Sequence, residues 1–305
     1  MIHVAPRGIL SGICLLTAVA IGINQAEPPT VDDWLAKISD LATVGLIARS
    51  KTSVIPVTCR DSTWPGNEER AGTAFLLGAR DSLELRVCAL TCAHVVIDTT
   101  IDTTLVRKSQ VLSQIRIRAN RRLGGTSSVI MKVVHVNRRL DFAVLVPDPA
   151  VYPPGLSSLA ALDITYTQPS LWTTSQALAE GQPVYYLGYP MGMGVGIRNH
   201  PVVRTGVVAQ ISDEANYILV DGFVQHGHSG SPVFTIEGKT DDNGMVWSGH
   251  LVGIARAYPP EVIDALQGTG APPGSSLIVA YNPGFTVVTP MDSIAPVLRK
   301  VLGVP

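Results

Sequence analysis

Charge of either sign is scarce in this chain. Only 15% of its 305 residues are Asp, Glu, Lys or Arg, and the formal net charge is −1. Without a basic excess there is no electrostatic footprint for a nucleic acid partner. Aromatic residues make up 6%, and there are four cysteines, Cys14, Cys59, Cys88 and Cys92. Cys14 falls within the N-terminal signal-like run, and the odd count left without it argues against a fold built on disulfides. One bridge from Cys59 to Cys88 or Cys92 is conceivable. The apolar surroundings of Cys88 and Cys92 favour buried thiols, since free Cys packs as a small hydrophobe. No apolar run reaches the length of a membrane span. The longest, Ile9 to Ile23, follows Arg7 and precedes Asn24-Gln25-Ala26. This is the pattern of a signal peptide over residues 1–26, cut after Gly22 or Ala26, and it implies export to the periplasm or the extracellular space. An uncleaved signal anchor is the other reading of the same run.

What is abundant is 28 Gly, 22 Pro and 46% hydrophobic residues. This mix suits strands and turns, with ample material for a large core. Residues 27–50 read as a helical segment, with Asp32-Asp33 ahead of Trp34, Leu35, Ile38 and Leu41 at helical spacing. Between 51 and 150 six strand-like segments follow: 53–57, 72–77, 83–90, 114–118, 129–136 and 142–146. Pro147 to Glu180 is rich in Pro, Ser and Thr, and residues 151–180 form a connection. Six more strand-like segments lie within 181–290: 183–188, 202–211, 217–220, 231–235, 249–255 and 285–289. Tyr258 to Pro283, with five prolines, reads as a long loop. Over 291–305 a helix is predicted, capped by Asp292 or Ser293, with Ile294, Val297, Leu298, Val301 and Leu302 on one face. The expected fold is mainly β, with two six-stranded antiparallel barrels and a C-terminal helix.

Three short stretches carry chemistry. Gly227-His228-Ser229-Gly230-Ser231-Pro232 sits between two apolar strands, and its glycines permit a tight turn that turns neighbouring N–H groups toward one point. Leu90-Thr91-Cys92-Ala93-His94 ends a strand on a histidine. Leu140-Asp141-Phe142-Ala143-Val144-Leu145 opens one on an aspartate. Taken singly, each has an ordinary explanation: a turn serine, a strand-end histidine, an aspartate in a turn. Taken together they offer a nucleophile, a base and an orienting acid. His135 is a rival base lying mid-strand. Asp148 and Asp163 are rival acids without the apolar strand that follows Asp141.

These stretches resemble the trypsin/chymotrypsin-like serine peptidases, and most closely the HtrA-like bacterial branch, with its T-A-A-H, D-[IL]-A-[VL]-[LI] and G-[ND]-S-G-[GS]-[PA] motifs in the same His, Asp, Ser order. The resemblance covers residues 50 to 302 and implies chymotrypsin-like barrels. It leaves no room for the PDZ domain that many such proteins carry. It implies a serine endopeptidase acting on polypeptide substrates, with Ser229 as nucleophile, His94 as general base and Asp141 as orienting acid. The backbone N–H groups of Gly227 and Ser229 would form the oxyanion hole. By position relative to Ser229, Phe223 and Val224 should line the specificity pocket, faced by Arg256 and Tyr258. Phe223 points to small or aliphatic side chains, and an inward Arg256 would favour acidic ones.

The chain departs from the pattern at His228, where secreted digestive members carry an acid and the HtrA-like branch often carries Asn. No Ile-Val-Gly-Gly-like start is present either, which argues against activation by a new N-terminal ammonium. His226 and His228 could ligate a metal, but no further ligands accompany them, so no metal or cofactor is expected. An α/β-hydrolase is excluded, because its order is Ser, acid, His and its elbow needs glycine where Ser231 stands. The remaining alternative is a catalytically inactive, protease-like binding module in an exported protein.

Overall fold

The computed structural model describes residues 2–3, 43–48, 50–60, 69–80, 85–101, 107–121, 123–151, 171–241, 244–257, 261–265 and 277–304. The apolar run 9–23, the residues around Trp34, Asp163 and Tyr258 lie outside that set, as does most of the connection between the halves. Within the expected N-terminal helical segment, residues 43–48 and 50 are helical.

Strand β1 (Ile2–His3) lies along a later strand, opposite Trp247 and Val246. The first barrel comprises β2 (Val54–Arg60), β3 (Glu69–Arg80), β4 (Leu85–Thr91), β7 (Gln114–Asn120), β8 (Thr126–Asn137) and β9 (Phe142–Pro147). They close in the order β2-β3-β4-β9-β8-β7. β7 shows why: Ile115, Ile117 and Ala119 are buried while Gln114, Arg116 and Arg118 are exposed, the period-two pattern of a barrel wall. β4 and β9 are apolar at nearly every position because both of their faces are covered. Cys88 and Cys92 are free and buried, in keeping with their apolar setting. Between β4 and β7 the chain also forms a hairpin, β5 (Ile97–Ile101) with β6 (Arg107–Val111), that was not expected from sequence.

The second barrel comprises β10 (Pro183–Gly188), β11 (Val202–Ser212), β12 (Tyr217–Asp221), β13 (Ser231–Asp241), β14 (Gly244–Ala257) and β17 (Phe285–Pro290). The order β14-β13-β10-β11-β12-β17 is closed by pairing of β14 with β17. The twelve barrel strands coincide with the segments read from the sequence. The region Tyr258 to Pro283 differs from its expected loop: β15 (Glu261–Ala265) pairs with β16 (Leu277–Tyr281). Its prolines sit between and around two β-branched, apolar segments, Val262-Ile263 and Leu277-Ile278-Val279, which pair regardless.

Helix α1 (Met291–Leu302) buries Met291, Ile294, Leu298 and Leu302. Neither expected cap acts as one. Pro290 precedes the helix, and the Asp292 carboxylate instead accepts a hydrogen bond from Ser175 N at 2.7 Å. The apolar face of α1 joins a cluster that runs from the first barrel into Leu187, Tyr189, Phe234, Leu251 and Ile254 of the second. A separate cluster fills the second barrel around Val184, Tyr186, Ile218, Val220 and Val233. Among the described residues, no helix is long and apolar enough to cross a membrane.

Candidate active site

His94 occupies a single 3-10 turn, Ala93–Val95, immediately after β4. Its neighbours Ala93 and Val95 are buried and anchor the turn, which leaves the imidazole facing out with its side chain 50% exposed. Asp141 ends the turn between β8 and β9 with φ 54°, a left-handed conformation that an aspartate tolerates at some cost. The turn is fixed around it: Asn137 Oδ1 accepts from Leu140 N at 3.0 Å, and Thr289 Oγ1 donates to Leu140 O at 2.6 Å. Both carboxylate oxygens are then used by one residue. Asp141 Oδ2 lies 2.8 Å from His94 Nδ1, and Oδ1 accepts from His94 N at 3.0 Å. With a carboxylate as acceptor, Nδ1 carries the hydrogen and Nε2 keeps its lone pair.

Ser229 reaches the same end of the molecule on a loop held by the first barrel. Thr73 N donates to Ser229 O at 2.8 Å, Thr73 Oγ1 donates to Gly227 O at 2.6 Å, and Tyr189 N donates to Thr73 Oγ1 at 3.1 Å. Thr91 Oγ1 in turn donates to Thr73 O at 2.7 Å. Gly227 and Gly230 have φ of 94° and 88°, and a Cβ on them would collide with Tyr189 O and Thr73 O. Glycine is required at both on two counts. The loop amides have divided roles. His228 N bonds Gln225 O, Gly230 N bonds Ala255 O, and Ser231 N bonds His228 O. The N–H groups of Gly227 and Ser229 donate to nothing among the described residues. Ser229 Oγ likewise makes no hydrogen bond there, to His94 or to any other group. The structure thus brings His94 and Asp141 into contact, and it lays the Ser229–Gly230 backbone against Thr73 and Thr91 without joining the hydroxyl to the imidazole.

His228 is buried, its ring edge-on to Tyr186 at 5.9 Å. Its Nδ1 accepts from Gln225 N at 3.2 Å, and its Nε2 is buried with no partner among the described residues. Burial, with help from the nearby Arg204 charge, pulls its pKa down to about 4. It is therefore a neutral structural residue of the loop. Of the rivals, His135 stacks on Phe142 at 5.5 Å, and Asp148 is tied to Gln114 and to Ala150 N.

Phe223 is 41% exposed, Val224 is buried in the second-barrel core, and Arg256 is half-buried near the end of β14. Two residues escaped sequence reasoning. Thr73 is bonded to a loop 154 positions away, and no local signal marks it. Arg204, on β11, puts its guanidinium carbon 5.8 Å from the Phe223 ring centroid and its Nη2 3.4 Å from Gln225 Oε1. Among the described residues, Cys92, His94 and Asp141 have donor atoms within 4.8 Å of one another, the spacing a cation would need. Cys92 is nevertheless a poor ligand. Burial first, and then the Asp141 charge, push its thiol well up, and Sγ donates to Ala255 O at 3.4 Å.

Two closed six-stranded antiparallel barrels with a C-terminal helix, and a His–Asp pair at their junction, define the chymotrypsin-like class. The chain belongs to the trypsin-like peptidase domain family, whose model matches residues 72–240, more than half of its length. No curated protein sequence matches it. Among solved structures it is similar to the HtrA-type protease AlgW with a tripeptide, at 17% identity and TM-score 0.49, covering 85% of this chain and 63% of that one. It is also similar to Deg5, at 17% identity and TM-score 0.48, covering 86% of this chain and 95% of that one. The chain thus spans less than two thirds of the AlgW chain.

Proposed function

We propose that the protein is an exported serine endopeptidase that cleaves polypeptides through an acyl-enzyme on Ser229. The observation that carries this reading is the His94–Asp141 pair, since a carboxylate at Nδ1 favours the tautomer in which Nε2 keeps its lone pair and is free to act as a base. His94 Nε2 takes the hydroxyl proton as Oγ attacks the substrate carbonyl carbon. The resulting oxyanion is received by the undonated N–H groups of Gly227 and Ser229. Collapse breaks the C–N bond, and the leaving amine takes the proton from His94. Water, deprotonated by the same nitrogen, then hydrolyses the ester and frees Ser229. The reading requires Oγ to reach Nε2, a contact that sites without substrate often make only loosely. Residues 51–150 and 181–290 act as the two barrel domains, and 1–26 directs export to the periplasm or beyond.

The test is labelling by a fluorophosphonate probe together with peptide hydrolysis. Both should be present in the wild type and abolished in Ser229→Ala. Asp141→Asn should lower turnover about 10⁴-fold through the wrong tautomer. A folded wild type that neither labels nor cleaves would leave the inactive binding module as the reading.

A further inference from the structure

The strap from Gly222 to Gln225, which leads into the Ser229 loop, is fastened from several sides. Gly222 N donates to Gly284 O at 2.8 Å, Thr286 Oγ1 to Gly222 O at 2.6 Å, Tyr186 OH to Phe223 O at 3.0 Å, and Asn282 Nδ2 to Val224 O at 2.7 Å. So held, the strap turns Val224 into the barrel and leaves Phe223 facing out. Arg204 lies against this outward side. Its guanidinium stands over Phe223, and among the described residues its one side-chain hydrogen bond is the long contact to Gln225. Its Nε is buried and has no partner among the described residues. Among the described residues no carboxylate pairs with it within 4 Å. A guanidinium partly withdrawn from water with no anion beside it is costly to keep, and leaving it so has a purpose if the anion arrives with a ligand. The planar fork of arginine suits a carboxylate in particular. Its charge is felt at Tyr186 and His228, both of which border the strap.

We infer that the primary specificity pocket is built for an acidic side chain, with Arg204 as the residue that binds its carboxylate, so that cleavage follows Glu or Asp. This rests on the peptidase reading for its consequence, although the binding pocket does not need catalysis. The aliphatic preference expected from Phe223 is replaced: the ring serves as the surface on which the guanidinium is laid out. Arg204 lies 25 positions before Ser229 on another strand, which is why no motif pointed to it.

Two measurements separate the pocket from the chemistry. In the first, the wild type hydrolyses tetrapeptide p-nitroanilides that end in Glu, Gln or Ala. The kcat/KM for Glu should exceed that for Gln about 10-fold or more, because the site rejects a residue that leaves its charge unpaired. In Arg204→Gln the ratio should fall to about 1, and Arg204→Lys, which keeps a charge, should lie between. In the second, N-acetyl tripeptides ending in Glu or Gln are titrated into Ser229→Ala. Glu should bind about 10-fold tighter, with the preference lost in the Ser229→Ala/Arg204→Gln double variant. Far-UV ellipticity confirms that each variant is folded. Cleavage without a Glu preference overturns the pocket and leaves the peptidase standing. Glu-selective binding without any cleavage does the reverse, and absence of both overturns both.

Discussion

His228 sits between Gly227 and the proposed nucleophile Ser229, and its environment permits only the neutral ring. Its folded pKa of about 4 lies below the ordinary 6.5, with burial as the main cause and the Arg204 charge as the second. The unfolded chain takes up a proton as pH falls through 6.5, whereas the folded loop does not until about 4. Stability is therefore lost as pH drops through that window, by up to about 3 kcal/mol from this residue. Thermal midpoints of the wild type and His228→Asn, measured from pH 7 to pH 4.5, should converge or cross as pH falls, because Asn has no proton to gain. Parallel curves would mean that the ring is not held neutral. At this scale the sequence was informative only where motif and order coincided. His94, Asp141 and Ser229 could be chosen because a glycine-flanked serine, a strand-end histidine and a strand-opening aspartate each carry a local signature. His228 could be singled out as unusual, but its burial against Tyr186 and Gly188 is a tertiary fact. Arg204 had no local signature at all.

Among the elements, the barrel strands were readable because burial on a barrel wall imposes a period of two, as along β7, or continuous apolarity, as along β9. The β15–β16 hairpin was hidden by its prolines, and β5–β6 by polar residues such as Asp98, Thr99 and Thr100, which suit a strand without an apolar face. Helix α1 was readable from Ile294, Leu298 and Leu302, but its start was not. A capping side chain was expected of Asp292, and the structure sends that carboxylate to Ser175 in the inter-barrel connection. The helix start consequently depends on packing rather than on a side-chain cap, the more so because Pro296 interrupts the hydrogen bonding. The helix end, by contrast, is closed by Gly303 in the left-handed conformation, with Gly303 N bonded to Arg299 O. Leu298, fully buried, is the residue to remove. Leu298→Ala should destabilise the protein by about 2–5 kcal/mol in chemical denaturation, since the cavity opens in a core that includes both barrels. A loss under about 1 kcal/mol would mean that the helix is an appendage.

Viewed as a whole, the molecule places its candidate site on the seam that holds it together. Tyr189 OH from the second barrel donates to Val54 O in the first at 3.0 Å, Thr289 Oγ1 reaches Leu140 O, and Thr73 supports Gly227 and Ser229. Two of these three links end within one residue of a proposed catalytic group. Replacement of the fully buried Thr73 by Val preserves shape and removes one hydroxyl. That strands Tyr189 N–H and Gly227 C=O, each bonded to Thr73 Oγ1 in the wild type. The expected loss of stability is about 1–3 kcal/mol for an unsatisfied buried polar group. The Gly227–His228 peptide plane also loses the contact that fixes it beside Ser229, so fluorophosphonate labelling of the folded protein should slow about 10- to 100-fold. Leu298→Ala is the control: it weakens the same shared core from the far side, so labelling per folded molecule should change little while the thermal midpoint falls. If Thr73→Val lowered only stability and labelled at the wild-type rate, the seam would hold the barrels together without setting the geometry of the site.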